Sequence, residues 1–169
     1  MTSFLQLAKD RYSVRSFKPT PIEQEKMAHI LEAGRVAPTA RNSQPHRIMV
    51  ITDPEALAKT DDCTPCRFGA PVMLLICYDK NVTFKRPFDG ACSGEVDASI
   101  VTTHLMMAAQ ELGLGTCWVM YFDPAKAIEH FALPEHIVPV AFLPVGYPAD
   151  DAAPSPKHAD RMPLEDILL

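Results

Sequence analysis

Arg11-Tyr12-Ser13-Val14-Arg15 carries three polar side chains, Arg11, Ser13 and Arg15, at alternate positions, and alternation puts them on one side of an extended chain. Two guanidinium forks and a hydroxyl converging there would clamp an anion, because the fork geometry matches phosphate oxygens. The same residues also read as solvated surface arginines. A second group runs from Ala37 to His46 and is dense in small and amide residues. Within it Asn42 and Gln44 each present a donor and an acceptor in one plane, as reading the edge of a heterocycle requires. As a plain connection the segment needs only turn chemistry. Gly113-Leu114-Gly115-Thr116-Cys117-Trp118 lacks the third glycine of a dinucleotide loop and follows a helix pattern, so it is no phosphate loop of that kind. Its glycines read as a helix exit that lets backbone pass close to a neighbour, with Cys117 and Trp118 in the core.

Other chemistries find less support. Cys63-Thr64-Pro65-Cys66 has the spacing of a redox pair, but it precedes a strand where a thiol-redox motif should follow one, and no second pair completes a zinc site. No histidine pair has ligand spacing, so no metal is expected; His104, Met106 and Met107 read as packing. No nucleophile elbow is present. Lys and Arg total 16 against 21 Asp and Glu, a net charge of −5, and no basic run marks a nucleic-acid partner. The apolar stretch Pro71 to Cys77 is too short to span a bilayer, so no membrane partner is expected. Charges at Lys9, Asp10 and Arg11 stand where a signal peptide needs its apolar region, which points to a cytoplasmic protein. Five cysteines, an odd number, should then be free thiols.

The elements that must position these groups follow from spacing. With 169 residues, 47% of them apolar, one domain is expected. Thr20-Pro21-Ile22-Glu23 offers a cap, a first-turn proline and a capping-box glutamate, predicting a helix over about 21–35. Residues 47–52 and 71–78 read as strands, the second apolar enough to be buried on both faces, with a short helix at 54–59 between them. From Gly94 to Leu112 apolar residues recur at three- and four-residue steps, predicting the central helix. A strand over 116–122, a helix from Asp123-Pro124 to about 132 and a strand over 137–147 complete the pattern. Pro139 and Pro144 require that last strand to be interrupted, bulged or at an edge. The mixture predicts an α+β domain with a mixed central sheet flanked by helices. Residues 1–147 form its body; 148–169, rich in proline, form an extended arm whose Leu164, Ile167 and Leu168 need a second subunit to cover them.

Taken in chain order, Arg-Tyr-Ser-Val-Arg, Ala-Pro-Thr-Ala-Arg-Asn-Ser-Gln-Pro, Gly-Leu-Gly-Thr-Cys-Trp and Arg161-Met162-Pro163-Leu164-Glu165 resemble the nitroreductase family over nearly the whole chain. The resemblance implies an FMN-dependent oxidoreductase and a homodimer with two FMN sites at its interface and the arm exchanged between subunits. By the same resemblance Arg11, Tyr12, Ser13 and Arg15 hold the FMN phosphate, ribityl chain and pyrimidine edge, and Arg161 adds a phosphate contact. Pro38, Thr39 and Ala40 approach from the partner, with Asn42 and Gln44 near the ring edge. Trp118, Val119, Met120 and Tyr121 lie along the isoalloxazine and supply backbone donors near N5. NADH or NADPH would serve as transient reductant in a ping-pong cycle, a nitroaromatic or quinone as oxidant, and FMN itself would carry the chemistry without a catalytic side chain. Arg15, with Arg67 second, would favour the reduced flavin by its charge. His46 departs from the tryptophan common after Gln-Pro, and Met120-Tyr121 from smaller or acidic residues. Little chain lies between Tyr78 and Gly94 to build a helical lid, which implies an open pocket or one lined by Phe84 and Phe88, and Cys66 is a candidate neighbour of the flavin. Two other readings stand beside this one: a dimer that binds or senses FMN without turnover, and a thiol-redox protein using Cys63 and Cys66.

Overall fold

The computed structural model describes residues 3–169. Its centre is strand β2 (Val72–Asp79), whose Val-Met-Leu-Leu-Ile-Cys run is buried throughout. β1 (His46–Ile51), β3 (Gly115–Thr116) and β4 (Ile137–Gly146) complete a sheet of order β1-β2-β4-β3. Side chains alternate across it. Val72, Leu74 and Ile76 pack with Ile30, Val101 and Leu105, from helices α2 (Gln24–Arg35) and α4 (Gly94–Glu111). Met73, Leu75 and Cys77 face the other way, against Cys63 and Ala127 from helices α3 (Pro54–Cys63) and α5 (Pro124–His130). A strand with apolar residues at every position is what a layer covered on both faces demands.

The domain is α+β, as expected. Its four strands pair antiparallel, and the parallel component is confined to a single bridge between Ser13 and Thr116. β4 is an inner strand rather than an edge, and it absorbs its prolines in two ways. Ile76 faces Ala141 while Cys77 faces Pro139, so Val140 is the extra residue of a bulge where Pro139 sits. Phe142 exchanges both backbone bonds with Val119; two residues on, Pro144 turns its missing donor towards the same side, beyond the two residues of β3.

Several predicted boundaries move. α2 begins at Gln24 with Glu23 as its cap residue, not at Thr20-Pro21. The Glu23 carboxylate accepts the Tyr147 hydroxyl at 2.6–2.8 Å instead of closing a capping box. The strand expected over 116–122 shrinks to Gly115–Thr116 and the isolated Val119–Phe142 bridge, leaving Met120 and Tyr121 outside the ladder. α4 runs as its periodicity predicts to Glu111, with Leu112 as its cap residue and Gly113 next in the left-handed conformation (φ 74°). α3 is capped by Asp53 and reaches Cys63, four residues past its expected end.

Beyond Pro148 the chain is an arm with two single turns, Pro156–Ala159 and Leu164–Ile167. It touches its own body through Lys18–Asp150 (2.6 Å) and through His158, whose Nε2 lies 2.9 Å from the Lys9 carbonyl at the end of helix α1 (Phe4–Asp10). Residues 161–169 are all exposed. Among the described residues no helix is long and apolar enough to cross a membrane. The five cysteines are unpaired, and among the described residues no cluster of three His, Cys, Asp or Glu side chains could hold a metal ion.

Candidate functional site

The segment 11–15 is fixed through its middle residue. Val14 is buried, and its N–H donates to the Thr116 carbonyl at 2.9 Å, which turns Ser13 and Arg15 away from the core. The approach depends on Gly115, where a Cβ would stand 2.5 Å from Val14 Cγ2. Behind Ser13 lies the Cys117 thiol, which burial pushes up against the opposing influence of Arg15 and the Ser13 hydroxyl.

In front, Arg11, Tyr12, Ser13 and Arg15 form one wall of a cavity of about 300 Å³. Ser155, Lys157, His158 and Arg161 of the arm form the other. No carboxylate lines it. Among the described residues Arg11, Arg15, Lys157 and Arg161 have no ion-pair partner; Arg15 donates to the Ser13 carbonyl (3.3 Å), and Arg161 to the carbonyls of Asp160 (2.6 Å) and Lys157 (3.4 Å). Four unneutralised cations beside a serine hydroxyl, on a chain of net charge −5, are a donor set suited to an anion.

The loop after α2 stands apart from this cavity. Arg41, Asn42 and Gln44 all adopt left-handed backbone (φ 53°, 54° and 48°), a conformation disfavoured for residues with a Cβ. The Thr39 hydroxyl accepts from Gln44 N–H at 3.1 Å, and the Ala40 N–H donates to Asp97 Oδ1 at 2.8 Å. Pro38, Asn42 and Gln44 are exposed. Arg41 lies over the Phe84 ring, 5.8 Å from its centre. His46, at the start of β1, is held towards its neutral form by burial and then by the nearby Arg47 charge. Phe84 begins a small hairpin closed by a Lys85–Cys92 bridge, and Phe88 at its tip projects into solvent, 92% exposed.

The third segment divides by residue. Val119 is buried, and both its backbone groups are engaged by Phe142 at 2.9 Å, so it has no donor to offer a ligand. Trp118 borders a groove along α4 with Val96, Ile100 and Thr103, and its indole N–H is buried without a partner. Met120 and Tyr121 are 68% and 76% exposed; the Tyr121 carbonyl is tied down by the Thr64 hydroxyl at 2.6 Å.

The family model described as Nitroreductase family matches residues 8–64 and 65–147. This chain belongs to the nitroreductase family. A nitroreductase family protein from Clostridium difficile 630 superposes on it with a TM-score of 0.94 at 38% identity, covering 99% of this chain and 98% of the other. An FMN-dependent nitroreductase from Clostridium difficile R20291 gives a TM-score of 0.76 at 27% identity, covering 90% and 91%. The FMN reductase [NAD(P)H] of Bacillus subtilis is 30% identical, covering 99% of this chain and 73% of the relative.

Within this nitroreductase chain, then, five of the residues singled out by sequence, Arg11, Tyr12, Ser13, Arg15 and Arg161, share one cavity across about 150 residues of sequence. The 38–44 loop and the 118–121 segment do not line it. Three lining residues, Ser155, Lys157 and His158, escaped the sequence reading, which had only the proximity of two cationic types to Arg161 to go on. Arg67 is not a free cation: its guanidinium grips Asp61 through two bonds of 2.6 and 2.7 Å. The Cys63 thiol is pushed up to about 11, by burial first and then by Asp62 and Asp123. It also sits at the C-terminal end of α3, where the helix dipole disfavours a thiolate. That environment argues against a catalytic dithiol.

Proposed function

We propose that this protein is an FMN-dependent oxidoreductase that uses NADH or NADPH to reduce nitroaromatic, quinone or similar small acceptors. The observation that carries the reading is the cavity between the 11–15 segment and the arm. Its unpaired guanidiniums, lysine and serine hydroxyl are the donor set that a phosphate monoester dianion takes, and FMN ends in such a group.

When bound, FMN supplies hydride acceptance from the nicotinamide and its return to an acceptor, one partner at a time in a ping-pong sequence. The chain's own tasks are binding and orientation. Arg11, Arg15, Lys157 and Arg161 would neutralise the phosphate, with the Ser13 hydroxyl beside them and Tyr12 closing the cavity wall. Arg15 would also favour negative charge on the ring system. Trp118 and the exposed Met120 and Tyr121 would border the ring, and the unpartnered Trp118 indole N–H is a donor in want of an acceptor. Pro38, Thr39 and Ala40, with Asn42 and Gln44, would reach the flavin of a second copy.

A homodimer is part of this proposal. The arm presents Met162, Leu164, Ile167 and Leu168 to solvent, and a cavity of about 450 Å³ bordered by Phe4, Leu7, Ala33 and Met107 opens between α1, α2 and α4. Exposed apolar side chains gathered in this way suit an interface with a second copy.

The test is the visible spectrum of the purified protein after loading with FMN and removing the excess, followed anaerobically by NADH or NADPH. A retained flavin spectrum that bleaches with a nucleotide and returns on adding a quinone or nitroaromatic is expected. Retention without bleaching would leave an FMN-binding protein without turnover, and no retention would overturn the cofactor assignment.

A further inference from the structure

Resting on the flavin reading above, we propose that Asp97 is a positioning residue for the flavin ring, acting through the Thr39–Gln44 loop. Asp97 is 1% exposed, and a carboxylate so buried persists only where its oxygens are fully occupied. Both are. Oδ1 accepts the Ala40 N–H at 2.8 Å and Oδ2 accepts the Ser93 hydroxyl at 2.7 Å. Asp97 itself is locked into the first turn of α4 by its N–H bond to the Ser93 carbonyl at 2.8 Å. One buried carboxylate thus ties the start of the longest helix to a loop 57 residues away in sequence.

What the tie holds is a strained backbone. Of the five non-glycine residues with positive φ among those described, three, Arg41, Asn42 and Gln44, fall directly after Ala40. Such conformations cost of order 1 kcal/mol each and survive only where neighbouring contacts over-determine them. Inside the loop the Asn42 and Ser43 N–H groups donate to the Thr39 and Ala40 carbonyls at 2.9 and 3.1 Å, and Gln44 donates from its N–H to the Thr39 hydroxyl at 3.1 Å and from Nε2 to the Asn42 carbonyl at 3.3 Å, the last two in exposed positions. Asp97 is the anchor shielded from water, so it decides whether the exposed Asn42 and Gln44 amides stand ready or must be ordered by the ligand. A loop ordered in advance binds more tightly because the ordering cost is absent from the binding step.

The ring edge and the phosphate are read by different parts of this chain, which gives the test its discrimination. Asp97→Ala should weaken FMN and riboflavin by the same factor, about tenfold, and should speed amide hydrogen exchange across residues 39–44 in the flavin-free protein. Asp97→Asn, which can still accept from Ala40 and donate to Ser93, should restore most of both properties. Ser93→Ala, which keeps the carboxylate and loses one tether, should give a smaller loss with the same FMN-to-riboflavin ratio, and it serves where Asp97→Ala does not fold. Native-like affinity for both flavins in the Asp97→Ala and Ser93→Ala proteins would overturn the inference while leaving the flavin reading intact. A loss confined to FMN would overturn it too, since that would place the effect at the phosphate. A native chain that retains neither flavin would overturn both.

Discussion

Four cations facing one another across a cavity of about 300 Å³ repel one another, and an anion between them would offset that repulsion. This makes a distinction between folding and binding at single residues. Replacing Arg11 or Arg161 by alanine removes a charge-assisted contact of about 1.5–3 kcal/mol, so FMN should bind about 10- to 100-fold more weakly while riboflavin, which lacks the phosphate, should change little. The flavin-free protein should lose no thermal stability, because a repelling charge has gone. Equal weakening of the two flavins would move Arg11 or Arg161 away from the phosphate. At this scale the N-terminal half of the cavity was legible because Arg11, Ser13 and Arg15 share an alternating pattern that an extended chain turns into one face. Ser155, Lys157 and His158 were not legible, since ordinary polar residues in a proline-rich arm acquire meaning only when the arm folds back beside residue 11.

Among the elements, β3 and the segment beside it show how a short strand can matter more than a long one. Only Gly115–Thr116 enters the ladder, yet it aligns Val14 by a parallel bridge and so aims Ser13 and Arg15. Sequence pattern overestimated this strand because Thr116 to Phe122 is apolar and aromatic enough for a ladder; the cap and first turn of α5 at Asp123-Pro124 and the Thr64 hydroxyl on the Tyr121 carbonyl draw its second half away. The position of β4 was equally hidden. Its two prolines left it interrupted, bulged or at an edge; of these, a bulge at Pro139, with a two-residue neighbour at Pro144, lets it lie inside the sheet. The long apolar helix and the fully apolar strand were legible because each satisfies its own period without help from partners. Gly115→Ala tests the alignment. Its methyl would stand 2.5 Å from Val14 Cγ2 and 2.9 Å from Val14 Cβ, an overpacking that costs about 1–3 kcal/mol and displaces the 11–15 segment. The variant should fold with a lowered melting temperature and bind FMN at least about tenfold more weakly; unchanged FMN affinity in a destabilised protein would show that the segment tolerates the shift.

For the whole molecule, the arm has two roles that can be separated by where it is cut. Residues 155–161 furnish one wall of the cationic cavity, whereas Met162, Leu164, Ile167 and Leu168 present apolar side chains to solvent that the proposed dimer would cover. Removing 162–169 leaves Arg161 and the cavity in place but takes away the apolar end, so the expected result is a weakened dimer. If the ring site is completed across subunits, FMN affinity should then depend on protein concentration, recovering as mass action restores the dimer. Removing 148–169 deletes Ser155, Lys157, His158 and Arg161 as well, and FMN should be lost at every concentration. Sedimentation measured alongside flavin retention checks both. A 162–169 deletion that stays dimeric at high dilution would mean that the apolar end covers nothing essential, and a 148–169 deletion that still holds FMN would remove the arm from the site altogether, leaving Arg11 and Arg15 to hold the phosphate from one side.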